Sequence, residues 1–385
     1  MTHDVRTLGA STIAIHGGRG PRGTSSPVVS PLYQSVNFHQ EVGTSEGLLY
    51  ARYGNNPTAE SVQRRLAMLD GAEAALLLSS GMGATACALL ALLRPGDHLL
   101  SSSWIYGGTR KLLETEFEAI GIEVTFIDPM NSRAFRRAIR KRTRALFIES
   151  PFNPRCRVVD MRPLAQLASE NGLAFAVDST FASPINFRPL EHGADVVIHS
   201  ATKFLNGHHD VLAGAVLGTA SYIEEVRQKM MVWGQAPDPF ACWLLERGLK
   251  TLAVRVRQAS ANAMQIATWC AGRPEISQVH YPGLSSHPDH ETAVRTLDGF
   301  GSMLGIELRG GAAAAEAFLA RLEIISHAPS LGGVDSLASE PRFTSHAGCT
   351  PAERVEMGIP DGFVRLSIGI EDASDLIADL EQALV

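Results

Sequence analysis

From about residue 58 the chain alternates between stretches with apolar residues every three or four positions and short, unbroken apolar runs. Ala59–Leu69 has the helical spacing, and Ala74–Leu78 reads as a buried strand. Ala84–Leu93 reads as an apolar helix stopped by Arg94-Pro-Gly-Asp97. The alternation then continues. Strands are expected at His98–Leu100, Val124–Ile127, Ala145–Ile148, Leu173–Val177 and Asp195–Ile198, with helices at Thr109–Ile120 and Leu164–Glu170. Apolar strands separated by helices predict an α/β fold around a mostly parallel sheet, covered on both faces. Residues 221–275 read as long helix. Beyond Pro282 the character changes: an alternating strand at Gly301–Leu308, a helix at Ala312–Arg321, a strand at Phe363–Ile368 and a closing helix at Ala373–Leu384. This suite predicts a smaller α+β domain. The expected division is an extended arm over 1–57, a large α/β domain over 58–255 and a C-terminal α+β domain over 256–385.

The first fifty or so residues differ from the rest. They are rich in Gly, Pro and Ser, as in His16-Gly-Gly-Arg-Gly-Pro-Arg-Gly-Thr-Ser-Ser-Pro27, and predict an arm without regular structure that reaches across another subunit. The net charge of −6 gives no global attraction to nucleic acid or to acidic membranes. The basic run Arg133–Arg144 is expected to be a solvated helix face with a positive C-terminal end. The five cysteines are odd in number and widely spaced, with no CxxC pair, so neither a zinc site nor a disulfide framework is indicated. Free thiols, an opening Met1–Arg6 without an apolar signal run, and no membrane-length apolar stretch lead to a cytoplasmic expectation.

In open parallel sheets, ligands bind beyond the carboxyl ends of the strands. Three strand exits carry chemistry. After Leu78 comes Ser79-Ser-Gly-Met-Gly-Ala84, whose glycines leave backbone N–H groups free for an anion at a helix start. Taken singly it is more often simply a tight turn. After Val177 comes Asp178, a cap or a charge aimed into the cleft. After Ile198 comes His199-Ser-Ala-Thr-Lys203. Lysine is scarce here, and Lys111, Lys141, Lys229 and Lys250 sit in helical or basic surroundings. Lys203 alone follows an apolar strand, where loss of water makes an amine nucleophilic. An acid for a pyridine nitrogen, a lysine for an aldehyde and a glycine loop with hydroxyls for a phosphate together match what pyridoxal 5′-phosphate (PLP) asks of a protein. The adjacent histidines of Gly207-His-His-Asp210 lack metal-ligand spacing, and no metal is expected.

Many stretches resemble the Cys/Met-metabolism PLP enzymes: cystathionine γ-synthase, γ-lyase and β-lyase, and methionine γ-lyase. Among them are Ile15–Gly18, Ser30–Gln34, Ser80–Ala84, Tyr106–Thr109, Glu149–Pro154, Val177–Phe181, Ser200–Lys203, Ser330–Gly333 and Val364–Glu371. The resemblance implies the fold type I, aspartate aminotransferase-like PLP-dependent transferase architecture, in a homotetramer of two dimers with the active site shared between subunits. It implies β/γ-elimination or γ-replacement on a sulfur-containing amino acid or activated homoserine, in trans-sulfuration and amino-acid biosynthesis. A methionine γ-lyase, or a γ-lyase for another γ-substituted amino acid, is an alternative. A PLP-fold regulatory or binding protein is a non-enzymatic one.

By the same resemblance, Lys203 is the Schiff-base lysine and proton carrier, and Asp178 faces the pyridine nitrogen. Tyr106 stacks on the ring. Gly81, Met82, Ser200 and Thr202 hold the phosphate, and Tyr50 and Arg52 reach the phosphate of the neighbouring subunit. Arg365, with Asn153 and Ser330, takes the substrate carboxylate. Tyr106 and Tyr50 join Lys203 in the catalytic set. Three departures bear on substrate choice. Tyr50-Ala-Arg-Tyr-Gly-Asn-Asn-Pro-Thr58 is one residue longer than expected. Gly108 stands where methionine γ-lyases typically carry Cys, and Pro329 stands where cystathionine enzymes often carry Glu.

Overall fold

The computed structural model describes residues 8–19 and 23–384. The Met1–Arg6 opening and part of the expected arm (residues 1–7 and 20–22), together with Val385, lie outside the described residues.

Among the described residues twelve strands form two sheets: β1 (Ala74–Leu78), β2 (His98–Ser102), β3 (Glu123–Ile127), β4 (Thr143–Glu149), β5 (Ala174–Asp178), β6 (Val196–His199), β7 (Gly214–Gly218), β8 (Ile276–His280), β9 (Met303–Leu308), β10 (Ser326–His327), β11 (Leu337–Ser339) and β12 (Phe363–Ser367). The larger sheet has the order β1-β7-β6-β5-β4-β2-β3. From β3 across to β6 all neighbours are parallel, while β7 runs antiparallel to both β1 and β6. The sheet is therefore mostly parallel, as expected, with one strand the sequence reading missed. Gly214-Ala-Val-Leu-Gly218 is short and bounded by glycines, and sequence alone gave no reason to separate it from the loop before it. Gly214 is required there, since a Cβ would run into the backbone of Ser80.

Alternate residues of the strands pack on opposite faces. Leu77, Val197 and Leu217 join one core with the helices Pro57–Asp70, Pro239–Leu249 and Leu252–Ala271. Leu76, Leu78, Ile198 and Val216 join another with Gly81–Leu92 and Ala220–Trp233. The smaller sheet has the order β10-β11-β12-β9-β8. One of its faces, with Leu304, Ile306, Val364 and Leu366, packs on the helices Leu252–Ala271, Gly311–Arg321 and Ala373–Ala383. Arg365, between Val364 and Leu366, is thereby turned to the opposite face.

Three expectations of secondary structure change in the structure. The helical stretch expected over 221–275 is three helices, Ala220–Trp233, Pro239–Leu249 and Leu252–Ala271. Gly234 at φ +85° ends the first, and Asp238 caps the second through Oδ1. The break expected at 255/256 falls inside the third. The arm is not wholly irregular. Ala10–His16 is a helix that buries Ile13 and Ala14, and its end is held by Arg65, which donates to the Ala14 and Gly17 carbonyls. Arg65 is itself buried and paired with buried Glu246 at 2.9 Å. The basic run 133–144 is helical only to Ala138. Arg140 and Arg142 pair with Glu123, and Arg144, already in β4, pairs with Asp97.

Among the described residues, no helix is long and apolar enough to cross a membrane.

Candidate active site

The exits of β1, β4, β5 and β6 converge at the carboxyl side of the large sheet, and β12 of the small sheet faces them. Ser200–Lys203 forms a tight turn after β6, with the Lys203 N–H donating to the Ser200 carbonyl at 3.1 Å. Lys203 Nζ donates to Ser330 Oγ at 2.7 Å. Burial pulls the lysine amine down to about 8, and the nearby Arg365 charge acts in the same direction. At neutral pH a useful fraction of this amine is uncharged, unlike a surface lysine.

Ser330 carries a second contact. Its carbonyl accepts from Arg365 Nη2 at 2.9 Å, while Arg365 Nη1 donates to Asn153 Oδ1 at 3.1 Å. Ser330 has φ +97°, an unfavourable conformation for a residue with a Cβ. Such strain persists where surroundings over-determine it, and here one residue orients both Lys203 and Arg365. Arg365 is 5% exposed. Among the described residues no carboxylate pairs with it. Burial pushes its guanidinium down to about 10. A buried cation held only by neutral oxygens is a ready receptor for a carboxylate.

Asp178 ends β5 and lies buried. Its Oδ1 accepts from the Thr180 N–H at 2.9 Å, and Thr180 Oγ1 accepts from the Ser200 N–H at 2.8 Å. Burial raises the Asp178 carboxyl, while the Thr180 hydrogen bonds and the His199 charge oppose the rise. His199 is fully buried, with Nε2 3.2 Å from both oxygens of buried Asp70. Burial disfavours a charged ring, but the Asp70 carboxylate, the Asp178 charge and a hydrogen bond with the Ser179 backbone together outweigh it and raise His199.

Gly81 begins the helix Gly81–Leu92. A Cβ on it would lie 2.7 Å from both Cβ and Oγ of Ser200. Only glycine lets the helix N-terminus come this close to the lysine turn. Ser80 Oγ caps the helix by accepting from the Gly83 N–H at 3.0 Å. Thr202 is turned to Ala213, exchanging hydrogen bonds with its N–H and C=O. Tyr106 stands half-exposed beside Met82. A Cβ on Gly108 would sit 2.5 Å from the Tyr106 ring and 3.2 Å from the Met82 sulfur.

The structure thus gathers Lys203, Ser330, Arg365 and Asn153 through direct contacts. Asp178, Ser200 and Gly81 join through Thr180 and close packing, and Tyr106 sits with Met82. Tyr50 and Arg52 stand apart. Arg52 Nη1 donates to the Met231 carbonyl at 2.8 Å, and the Tyr50 N–H donates to Asn55 Oδ1 at 2.9 Å. This motif forms a 3-10 turn over Ala51–Tyr53 that closes on Gly54 at φ +69°, after which Asn56 caps the next helix. His209 of the 207–210 loop lies against Gly333, with Nε2 3.8 Å from Asp335. Sequence reasoning gave no role to Glu149, Thr180, or the Asp70–His199 pair. Thr180 lay two residues after a named acid, a turn-forming spacing. Asp70 had no signal, since it sits at the end of a helix 129 residues from its partner.

The residues fit PLP. A Cβ-free cradle lies beside a serine hydroxyl, a buried acid ends the neighbouring strand, and an amine of lowered basicity follows the next one. Comparison with known proteins decides the matter. The model of the Cys/Met metabolism PLP-dependent enzymes matches residues 11–385. The chain belongs to this family. Cystathionine γ-synthase of Mycobacterium leprae is 40% identical, over 100% of both chains. Cystathionine β-lyase of Coxiella burnetii is 40% identical over 97% of each, and L-methionine γ-lyase of Pseudomonas putida 38% identical over 98% of this chain and 97% of its own. The crystal structure of metB from Corynebacterium glutamicum superposes with a TM-score of 0.94 at 39% identity, covering 99% of both chains. This Cys/Met-family member is accordingly a PLP-dependent enzyme of the fold type I class.

Proposed function

We propose that the enzyme carries out β- or γ-elimination, or γ-replacement, on a sulfur-containing amino acid or an activated homoserine, with every residue but Thr202 in the role the resemblance implies. One observation carries the reading. Ser330 holds the amine of Lys203 through its hydroxyl and the guanidinium of Arg365 through its carbonyl. A base and a carboxylate receptor are thereby oriented by one residue.

Arg365 takes the substrate carboxylate in a two-pronged contact, with Asn153 keeping the fork oriented. Lys203 Nζ, about half uncharged near pH 8, removes the Cα proton and returns protons further along the chain. Bound PLP supplies the sink for the electron pair left on Cα. Asp178 directs its carboxyl group to the cofactor's ring nitrogen and favours a proton there. Gly81, Met82 and Ser200, with the helix dipole behind them, hold the phosphate, and Thr202 buttresses the turn that presents Ser200. Tyr106 covers the ring face and excludes water.

Tyr50 and Arg52 serve the phosphate of a second subunit. Their hydrogen bonds within the chain run to Asn55 and Met231 rather than to the Lys203 cluster, which supports this reading. Val28, Val36 and Val42 on the arm are exposed, as suits a segment covered by another copy in a homotetramer. The five cysteines are unpaired, consistent with a reducing cytoplasm.

Incubation of the PLP-loaded enzyme with cystathionine, methionine, cysteine and O-acylhomoserine, the last with and without a thiol, tests the assignment. A 2-oxo acid marks elimination and a thioether marks replacement. Turnover of none of these by a fully loaded enzyme contradicts the proposal.

A further inference from the structure

Glu149 is the last residue of β4 and stands directly opposite Asp178 in the β4–β5 register. It is 4% exposed. Among the described residues no lysine, arginine or histidine pairs with it, whereas buried Glu246 has Arg65 and buried Asp289 has Arg157. Burial and the neighbouring Asp178 charge push its carboxyl up to about 8. Such a group is costly to keep unless its hydrogen bonds matter.

Those bonds lead to two separate loops of the site. Oε2 accepts from the backbone N–H of Tyr106 at 2.8 Å, and Oε1 accepts from the backbone N–H of Asn153 at 3.3 Å. Neither backbone is fixed by a sheet ladder at that point. Tyr106 is the N-cap of the short helix Gly107–Lys111 and makes no side-chain cap bond of its own. Asn153 lies in the irregular segment after β4. Asn153 in turn accepts from Arg365 through Oδ1. A single carboxylate thus links the aromatic ring, the amide and the guanidinium to the end of a central strand.

We propose that Glu149 is a positioning residue, whose two oxygens hold Tyr106 and Asn153 at the separation that the cofactor ring and the substrate carboxylate require. This rests on the roles of Tyr106, Asn153 and Arg365 given above. Glu149 itself touches neither substrate nor cofactor and acts through these three.

The test is Glu149→Gln in the PLP-loaded enzyme. Glutamine keeps one acceptor oxygen, and its amide nitrogen must face one of the two N–H donors. Lys203 and Asp178 remain, so the visible absorbance band of the bound cofactor persists. The circular dichroism of that band changes, because the ring lying over the cofactor shifts. KM rises about tenfold, the worth of one buried hydrogen bond, while kcat moves by less than about threefold. Glu149→Asp keeps both acceptors on a shorter stem and gives a smaller KM rise. It carries the test if the glutamine variant does not fold. Unchanged KM and dichroism overturn the proposal, as does a loss confined to kcat. Wild-type enzyme that shows no band and no turnover would instead sink the functional reading, so the two failures are separable.

Discussion

Replacing Arg365 with methionine separates the demands of function from those of stability. The guanidinium is buried, has no carboxylate partner among the described residues and keeps two hydrogen bonds to neutral oxygens, Ser330 O and Asn153 Oδ1. Two charge-assisted bonds to a substrate carboxylate contribute about 1.5–3 kcal/mol each. Losing both costs about 3–6 kcal/mol, or roughly 10²- to 10⁴-fold in kcat/KM at 1.4 kcal/mol per factor of ten. Stability moves differently. Removing an unpaired buried charge relieves a desolvation penalty of several kcal/mol. Leaving the two oxygens without donors costs about 1–3 kcal/mol apiece. Arg365→Met therefore keeps the wild-type Tm to within a few degrees, or exceeds it, while losing substrate recognition. Steady-state kinetics with an amino acid and with the amine that lacks its carboxylate, beside thermal denaturation, form the assay. The variant narrows the preference for the amino acid over the amine. A kcat/KM within threefold of wild type, or a loss explained by collapse of the Tm, refutes this account of Arg365.

Three further outcomes follow from the same geometry. The Lys203 amine lies at about 8, below the usual lysine range, so its uncharged form grows as pH rises through 8. The cost of its burial is full below that pH and recedes between about 8 and the ordinary lysine value. The rate of PLP capture by the apoenzyme, followed by visible absorbance, rises from pH 7 to 9, and a flat profile contradicts the assignment. Gly81→Ala puts a methyl 2.7 Å from Ser200 and crowds the phosphate cradle. The PLP dissociation constant in equilibrium dialysis rises at least about tenfold, and an unchanged value argues against phosphate binding there. Mixing inactive Arg52→Ala and Lys203→Ala chains after dissociation restores about a quarter of wild-type activity, because half of randomly paired dimers hold one intact site of two. No recovery contradicts a shared site.

Much of this was legible in the chain because burial writes itself into pattern. The parallel strands are unbroken apolar runs, and Lys203 and Asp178 stand out as charges placed directly at their ends. The antiparallel β7 was not legible, since a five-residue run bounded by two glycines carries no periodicity. Nor was the splitting of 221–275, where Gly234 and the Asp238-Pro239 start outweigh an otherwise helical composition. Within the site, side chains that touch a ligand follow motif spacing, whereas those that hold other residues do not. Asp70 and His199 meet across 129 positions, and Glu149 reaches Tyr106 across 43. Long-range partnership of this kind is a property of the fold and leaves no local mark. Ser330 is intermediate: its place was anticipated, but its strained backbone and double contact emerge only in three dimensions.

The most direct test is the visible spectrum and turnover of Lys203→Ala beside wild type, both reconstituted with PLP. If Lys203 is the amine that takes the cofactor and moves the Cα proton, wild type shows a visible band and substrate turnover, and the alanine variant loses both. A variant that keeps full activity contradicts the account at its centre.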